Sequence, residues 1–311
     1  MKITILIPAY NEQDNIAPLI QALDIAKSDM PDYQWEYLFV NDGSTDGTLS
    51  ILEALHNERD DVAYVDLSRN FGKENAMLAG FDYATGDAMI IMDADLQDPP
   101  SVIKDMVLKW REGYDDVYAR RKSRGRESWL RKQLSLTFYR ILQGSTKIDI
   151  LPNVGDFRLL DRKCIEAMRK LRESGRYTKG LFTYIGFRKT AVEFDRNDRT
   201  QGKSSFNFGK LFALAMEGIT SYTTAPLRLA TLVGVLVSLL AFIYMVYVFV
   251  KALLFGDPVA GYPTLMTVIL FLGGVQLLTI GIIGEYLARV FNEVKQRPVY
   301  FVRDYKETKK Q

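Results

Sequence analysis

The chain has one cysteine, Cys164, and one histidine, His56, in 311 residues. A single thiol excludes an internal disulfide and fits a reducing compartment. His56 sits in a Leu-Glu-Ala-Leu-His-Asn-Glu pattern that reads as the exposed end of a helix. Zinc sites built on histidine and Ser-His-Asp hydrolysis therefore lack the residues they need. Net charge is also scarce, at +2 from 40 basic and 38 acidic side chains, so no global field invites nucleic acid. The N-terminal region lacks a secretory apolar core: Met1-Lys2 leads straight into a short strand at 3–8, and no signal peptide is expected.

Long apolar runs are absent from the first two thirds of the chain and present in the last. Residues 227–255 are apolar except for Arg228 and Lys251 near the ends, and 265–287 are broken only by Gln276, threonines and Glu285. Each is long enough to cross ~30 Å of hydrocarbon, which takes about 20 helical residues. The connection holds Gly256-Asp257-Pro258, so the two spans (about 227–255 and 264–287) form a hairpin. Arg289, Lys295, Arg297, Arg303, Lys306, Lys309 and Lys310 follow, which places both termini in the cytoplasm by the positive-inside rule. A glycine face of Gly273, Gly274, Gly281 and Gly284 reads as an interface within an oligomer or the hairpin, or as ordinary membrane-helix composition.

The front of the chain alternates strands and helices. Strands are expected at 3–8, 35–40, 62–67 and 89–92, and helices at about 15–28, 48–56 and 74–84, which spells a βαβ parallel sheet. Ligands bind such sheets at the carboxyl ends of strands. Four polar loops fall on that edge, and the most informative follows Met89-Ile90-Ile91-Met92. There Asp93 and Asp95 stand one residue apart, before Pro99-Pro100 forbids further strand. Two hard oxygen ligands at such an edge suit Mg²⁺ or Mn²⁺, which borrow their remaining ligands from phosphates and water. Asp42 is placed to accept hydrogen bonds from a base or ribose, and Lys73 with the Gly72 backbone to approach phosphates.

Four motifs carry a resemblance. Pro8-Ala9-Tyr10-Asn11-Glu12, Asn41-Asp42-Gly43-Ser44-Thr45-Asp46-Gly47-Thr48, Arg69-Asn70-Phe71-Gly72-Lys73 and Asp93-Ala94-Asp95-Leu96-Gln97-Asp98-Pro99-Pro100 are together similar to family-2 inverting glycosyltransferases of the GT-A fold. The subgroup resembled is the polyprenyl-phosphate glycosyltransferases, which include dolichyl-phosphate mannose synthases and bactoprenol glucosyltransferases. The resemblance implies an α/β, Rossmann-like, mostly parallel sheet flanked by helices, with interfacial amphipathic helices and a C-terminal transmembrane hairpin. It implies donor contacts from Pro8, Tyr10, Asn11, Glu12, Asp42, Asn70, Gly72, Lys73, Asp93 and Ala94, with metal on Asp93 and Asp95. Asp95, Gln97 and Asp156 would be catalytic, Asp156 from the matching Pro152-Asn153-Val154-Gly155-Asp156-Phe157-Arg158 motif.

Two basic segments extend the match. Residues 120–132 carry seven Arg or Lys beside Trp129, and run into an amphipathic stretch that reads as a helix lying in the membrane interface. The resemblance implies that Arg121, Arg131 and Ser135 hold a lipid phosphate, with Arg124 and Arg126 equally close in sequence. Arg199-Thr200-Gln201-Gly202-Lys203-Ser204-Ser205-Phe206 departs from the subgroup pattern, since Ser205 stands where a lysine is usual. Arg199 and Lys203 remain as helpers for the leaving diphosphate.

The expected organisation is a cytoplasmic GT-A catalytic domain at 1–204, an interfacial helix or linker at 205–225, two transmembrane helices within 226–288, and a basic cytoplasmic tail at 289–311. The expected reaction moves one sugar, glucose from UDP-glucose first, to undecaprenyl or another polyprenyl phosphate at the plasma or inner membrane, with a dimer or tetramer as the assembly. The alternatives are UDP-GlcNAc or GDP-mannose as donor, a protein or glycan acceptor, or a non-catalytic membrane protein that binds a sugar nucleotide.

Overall fold

The computed structural model describes residues 1–122, 154–173, 175–195, 225–255 and 261–309. Residue contacts divide the chain into two units, one built on the sheet and including 298–311, the other containing both long helices.

The sheet unit begins β1 (Lys2–Ala9), α1 (Ile16–Ser28), β2 (Gln34–Asn41), α2 (Thr48–Glu58), β3 (Val62–Leu67), α3 (Lys73–Tyr83) and β4 (Ala88–Ile91). It continues with α4 (Ile103–Arg111), β5 (Asp116–Arg121), β6 (Val154–Asp161), α5 (Arg162–Lys170), α6 (Thr178–Tyr184) and β7 (Lys189–Phe194). A last strand, β8 (Val302–Lys306), completes an eight-stranded sheet in the order β7-β5-β6-β4-β1-β2-β3-β8. The pairs β1–β2, β1–β4, β2–β3 and β5–β7 are parallel, while β4–β6, β5–β6 and β3–β8 are antiparallel. The sheet is thus mostly parallel, as expected.

Both faces of the central strands are covered, which is why they read as continuous apolar runs. Ile3, Ile5 and Ile7 of β1 join a core with Leu19 and Leu23 of α1 and Met106 and Trp110 of α4. The opposite face takes α3, where a Cβ on Gly80 would sit 2.1 Å from Leu6 Cδ1. Thr4, on that same face, is buried and donates its hydroxyl to Glu36, which also accepts from Thr85 and Lys2. Pro99 and Pro100 end the polar loop after β4 and open a 3-10 turn, Pro100–Val102, that leads into α4.

Two expectations need correcting here. His56 is not a surface residue: half-buried in the last turn of α2, it bonds the Val62 carbonyl through Nδ1 at 2.8 Å and packs edge-on against Tyr64. Residues 302–306 are not tail: they form β8, antiparallel to β3. Val302-Arg303-Asp304-Tyr305-Lys306 is too short and too charged to stand out as a strand in the sequence.

The helical unit holds α7 (Ala225–Phe255) and α8 (Tyr262–Val294). Among the described residues one stretch, Phe271–Val294, is long and apolar enough to cross a membrane, and a shorter apolar stretch lies at Ala230–Tyr244. The helices α7 and α8 cover the residues of both expected spans, about 227–255 and 264–287. Among the described residues, a Cβ on Gly273, Gly274, Gly281 or Gly284 would meet nothing within 4 Å. The amphipathic stretch from Trp129 onward and all but the last residue of the interfacial helix or linker expected at 205–225 lie outside the described residues.

Candidate active site

β1, β2, β3 and β4 run in one direction, so the segments that follow them emerge at one sheet edge. They enclose a cleft of about 320 Å³ lined by Pro8, Ala9, Tyr10, Glu12, Asp42, Asn70, Gly72, Lys73, Ala76, Asp93, Ala94 and Asp95. Every expected donor residue among the described ones lines it except Asn11. Asn11 sits in the left-handed region at φ 56° and braces the neighbouring loop instead, accepting from the Thr45 N–H at 2.8 Å and donating its own N–H to Ser44. Tyr10 is 46% exposed at the cleft, a large aromatic face open to stacking.

Asp42 is buried at the end of β2, where burial pushes its carboxyl above the usual carboxylate range against the pull of two amides. Those amides are the Phe71 N–H, which donates to Oδ1 at 2.7 Å, and the Gly72 N–H, which donates to Oδ2 at 2.9 Å. Asp42 therefore shapes the loop between β3 and α3, and the remaining lone pairs of its carboxylate are available to a ligand. The adjoining Gly43 permits this approach: it has φ +64°, and a Cβ there would lie 2.3 Å from the Arg69 carbonyl carbon.

The loop after β4 carries the metal-type pair. Leu96 adopts φ 56°, a left-handed conformation that costs about 1–2 kcal/mol for a residue with a Cβ. The turn brings Gln97 back onto Asp95: its N–H donates to Oδ1 at 3.2 Å and its side-chain amide to Oδ2. Gln97 is buried and braces Asp95 rather than lining the cleft.

Asp156 reaches the same edge from a different direction. It is the third residue of β6, not a loop residue, and β6 runs against β4 with Ile91 opposite Arg158. The start of β6 thus lies alongside the end of β4. Lys73, the first residue of α3, joins the two: its Nζ lies 2.6 Å from Asp93 Oδ1 and 2.7 Å from Asp156 Oδ2. Burial opposes the ammonium charge, but the two carboxylates win and hold the Lys73 pKa well above the ordinary lysine value. Burial likewise opposes ionisation of Asp156, and the charges of Lys73 and Lys179 overcome it, so its pKa falls below the usual range. Lys73, which the sequence reading directs toward phosphates, thus pairs within the chain with two carboxylates at the cleft.

Arg121 ends β5, which pairs with β6 so that Arg120 lies opposite Val154. Its guanidinium is 3.9 Å from Asp98 Oδ1 and 3.6 Å from where a Gly155 Cβ would be. Arg121 thus stands beside the strand that carries Asp156. Arg131, Ser135, Arg199 and Lys203 lie outside the described residues.

Sequence reading missed two supports of this site. Glu74 accepts from the Thr178 N–H at 2.9 Å and from its hydroxyl, tying the start of α3 to the start of α6. Burial raises the Glu74 pKa. Lys179, the next residue of α6, supplies part of the field on Asp156. Nothing in the local sequence marks either, because each acts through a partner on another element, Glu74 through Thr178 and Lys179 through Asp156.

The donor set suits a divalent metal brought with its substrate. No group of three or more His, Cys, Asp or Glu side chains among the described residues could cage a metal alone. Asp93 and Asp95 supply two carboxylates at the cleft, which is the number Mg²⁺ takes when phosphate oxygens and waters complete its shell. Asp156 Oδ1 is buried without a hydrogen-bond partner among the described residues, a further acceptor beside this edge.

Comparison with known proteins bears on what the cleft does. A family model described as Glycosyl transferase family 2 matches residues 4–169, and one described as GtrB C-terminal hairpin matches 225–290. The chain is 47% identical over 308 residues to an uncharacterized glycosyltransferase of Synechocystis sp., covering 98% of this chain and 95% of the relative. It is 42% identical to the putative glycosyltransferase CsbB of Bacillus subtilis, covering 97% and 91%. It is also 42% identical to the SfII prophage-derived bactoprenol glucosyl transferase of Shigella flexneri, covering 97% and 98%.

Proposed function

The chain belongs to glycosyl transferase family 2 and is a glycosyltransferase, and on that premise we propose that it transfers one sugar from a nucleotide-sugar to a polyprenyl phosphate. The observation that carries this reading is the near full-length likeness to a bactoprenol glucosyl transferase, which extends through the helical hairpin as well as the cleft. Glucose from UDP-glucose is the first candidate donor, and undecaprenyl phosphate the first acceptor. The membrane-type stretch in α8 and the basic residues Arg289, Lys295 and Arg297 near its end support a membrane-bound enzyme with a cytoplasmic catalytic unit and a hairpin of two spans.

In the proposed reaction an oxygen of the acceptor phosphate attacks the anomeric carbon from the face opposite the nucleoside diphosphate. The carbon–oxygen bond to the diphosphate breaks, configuration inverts, and the bonding pair leaves with the diphosphate. The acceptor is already anionic near pH 7, so the site needs no strong general base. Pro8, Tyr10, Glu12 and Asp42 form the wall that would hold the nucleoside. Asp93 and Asp95 would hold Mg²⁺ or Mn²⁺, which supplies Lewis-acid stabilisation of the leaving diphosphate. Gln97 fixes the orientation of Asp95 for that task. Lys73 holds Asp93 and Asp156 together, so the donor and acceptor sides of the cleft share one cation of the chain itself. Arg121, beside Asp156, is suited to draw in the acceptor phosphate, which contributes proximity.

The test is a donor panel. The purified protein, undecaprenyl phosphate and Mg²⁺ are incubated with each radiolabelled nucleotide-sugar, with Asp95→Ala as control. Label from one donor in the organic phase, lost in the control, is the expected result and names the sugar. Absence of lipid-borne label from every donor overturns the proposal, and donor hydrolysis in the same tubes then separates a different acceptor from a binding-only protein.

A further inference from the structure

We propose that residues 298–306 are a positioning strap for the donor loop, and that Phe301 and Arg303 set the affinity for the nucleoside diphosphate half of the donor without touching it. The inference rests on the nucleotide-sugar reading of the cleft and adds residues that do not line it.

The loop between β3 and α3 contributes Asn70, Gly72 and Lys73 to the cleft, yet Ser68, Arg69 and Asn70 are themselves exposed. On its inner side the loop is held by the two N–H bonds to Asp42. On its outer side it is held by the strap. The Ser68 N–H donates to the Phe301 carbonyl at 2.9 Å, and the Arg303 guanidinium donates to the Ser68 carbonyl at 2.8 Å. The same guanidinium pairs with buried Asp66 at 3.2 Å, and the Phe301 ring packs on Phe71 with centroids 6.3 Å apart. Phe71 is the residue whose N–H reaches Asp42, so strap and aspartate grip one residue from opposite sides.

The strap also reaches the far end of α3. The Tyr300 hydroxyl donates to Asp82, and the Tyr305 ring lies 4.4 Å from that of Tyr83. Asp82 and Tyr83 close the helix that Lys73 opens. Both ends of α3 are therefore indexed to one short segment.

Covering the edge of β3 would need only the backbone pairing of β8, since any strand of matching register satisfies the ladder. The side chains of Phe301 and Arg303 go further and reach the loop. A loop ordered before the ligand arrives costs no ordering free energy at the moment of binding. Releasing it transfers that cost to the donor.

The experiment uses the full chain in detergent with Mg²⁺. UDP and GDP binding are measured by calorimetry, and donor KM, acceptor KM, kcat and melting temperature are measured on the same samples. Phe301→Ala and Arg303→Ala remove side chains that are more than half exposed, so the fold is expected to survive. The expected result is nucleoside diphosphate binding about tenfold weaker, a matching rise in donor KM, and acceptor KM and kcat within about twofold. Arg303→Lys restores part of the loss. Lys309→Ala, which frees the strap from Asp60 and the Asn57 carbonyl, away from the loop, leaves binding unchanged. Affinity equal to the parent in both alanine variants overturns the strap alone. Losses that appear in kcat, or that track a fall in melting temperature, overturn it too, as does an equal loss in Lys309→Ala. Failure of the parent to bind either nucleoside diphosphate overturns the strap and the nucleotide-sugar reading together.

Discussion

The two halves of the sheet reach one edge in different ways. In the parallel half, β1 to β4 deliver chemistry at or beyond their carboxyl ends: Pro8 and Tyr10, Asp42, Lys73, and then Asp93 with Asp95. In the other half, β6 runs against β4 and delivers Asp156 near its own beginning, while β5 delivers Arg121 as its last residue. The parallel half is a set of loops that shape a cleft. The other half is a wall of paired strands that carries two polar groups to it, and the difference teaches where stability and chemistry are expected to part.

The largest effect should come from breaking the wall. Arg158 is buried in β6, donates to Asp116 of β5 at 3.0 Å, and lies 3.7 Å from the centre of the Phe182 ring. Arg158→Ala leaves buried Asp116 without its ion-pair partner, a loss of about 3–5 kcal/mol, readable by denaturant unfolding. Survival of full stability would show that the wall is not braced there. Asp95→Ala acts in the opposite way: transfer should fall by about 10²–10³-fold in kcat, with the melting temperature unchanged. Transfer within a few-fold of the parent would remove Asp95 from the metal site.

A smaller effect separates the halves by ligand. Arg121→Ala should raise acceptor KM by about tenfold, the scale of one charge-assisted contact, and leave donor KM alone. A change in donor KM instead would merge the two halves into one site. The smallest effect concerns the scaffold under the parallel half. Burial alone would raise the pKa of Glu36, but bonds from Thr4, Thr85 and Lys2 bring it below its ordinary value. A carboxyl depressed in the folded state adds stability above its unfolded pKa and loses it as pH falls through the folded one. Melting of the parent should therefore decline below about pH 4.3, and Glu36→Gln should flatten that part of the curve.

What could be read from the sequence follows the same division. Asp42, Asp93 and Asp95 were legible because each interrupts the chain where a buried run stops, and a strand end is visible in one dimension. Asp156 was placed by its motif, but as a loop residue, because a polar position inside a half-covered strand looks like a turn until its partner strand is known. Gln97 was legible as a site residue, while its hold on Asp95 depends on the left-handed Leu96, for which leucine gives no signal. Lys73 was read toward phosphates, since a lysine after a glycine loop suggests an anion, and its carboxylate partners come from β4 and β6. The strand β8 escaped altogether. Three of its five residues are charged, and the partner strand lies some 240 residues earlier.

That separation bears on how the molecule is made. β8 follows both long apolar helices in the chain, yet it is a member of the sheet that begins at Lys2. During synthesis β3 therefore waits with one edge unpaired until α7 and α8 have left the ribosome. A fragment cut before α7, the natural choice for work without detergent, would keep every residue that lines the cleft and still expose that edge. Rejoining residues 298–309 to such a fragment through a linker in place of the helices would return the missing strand to the sheet.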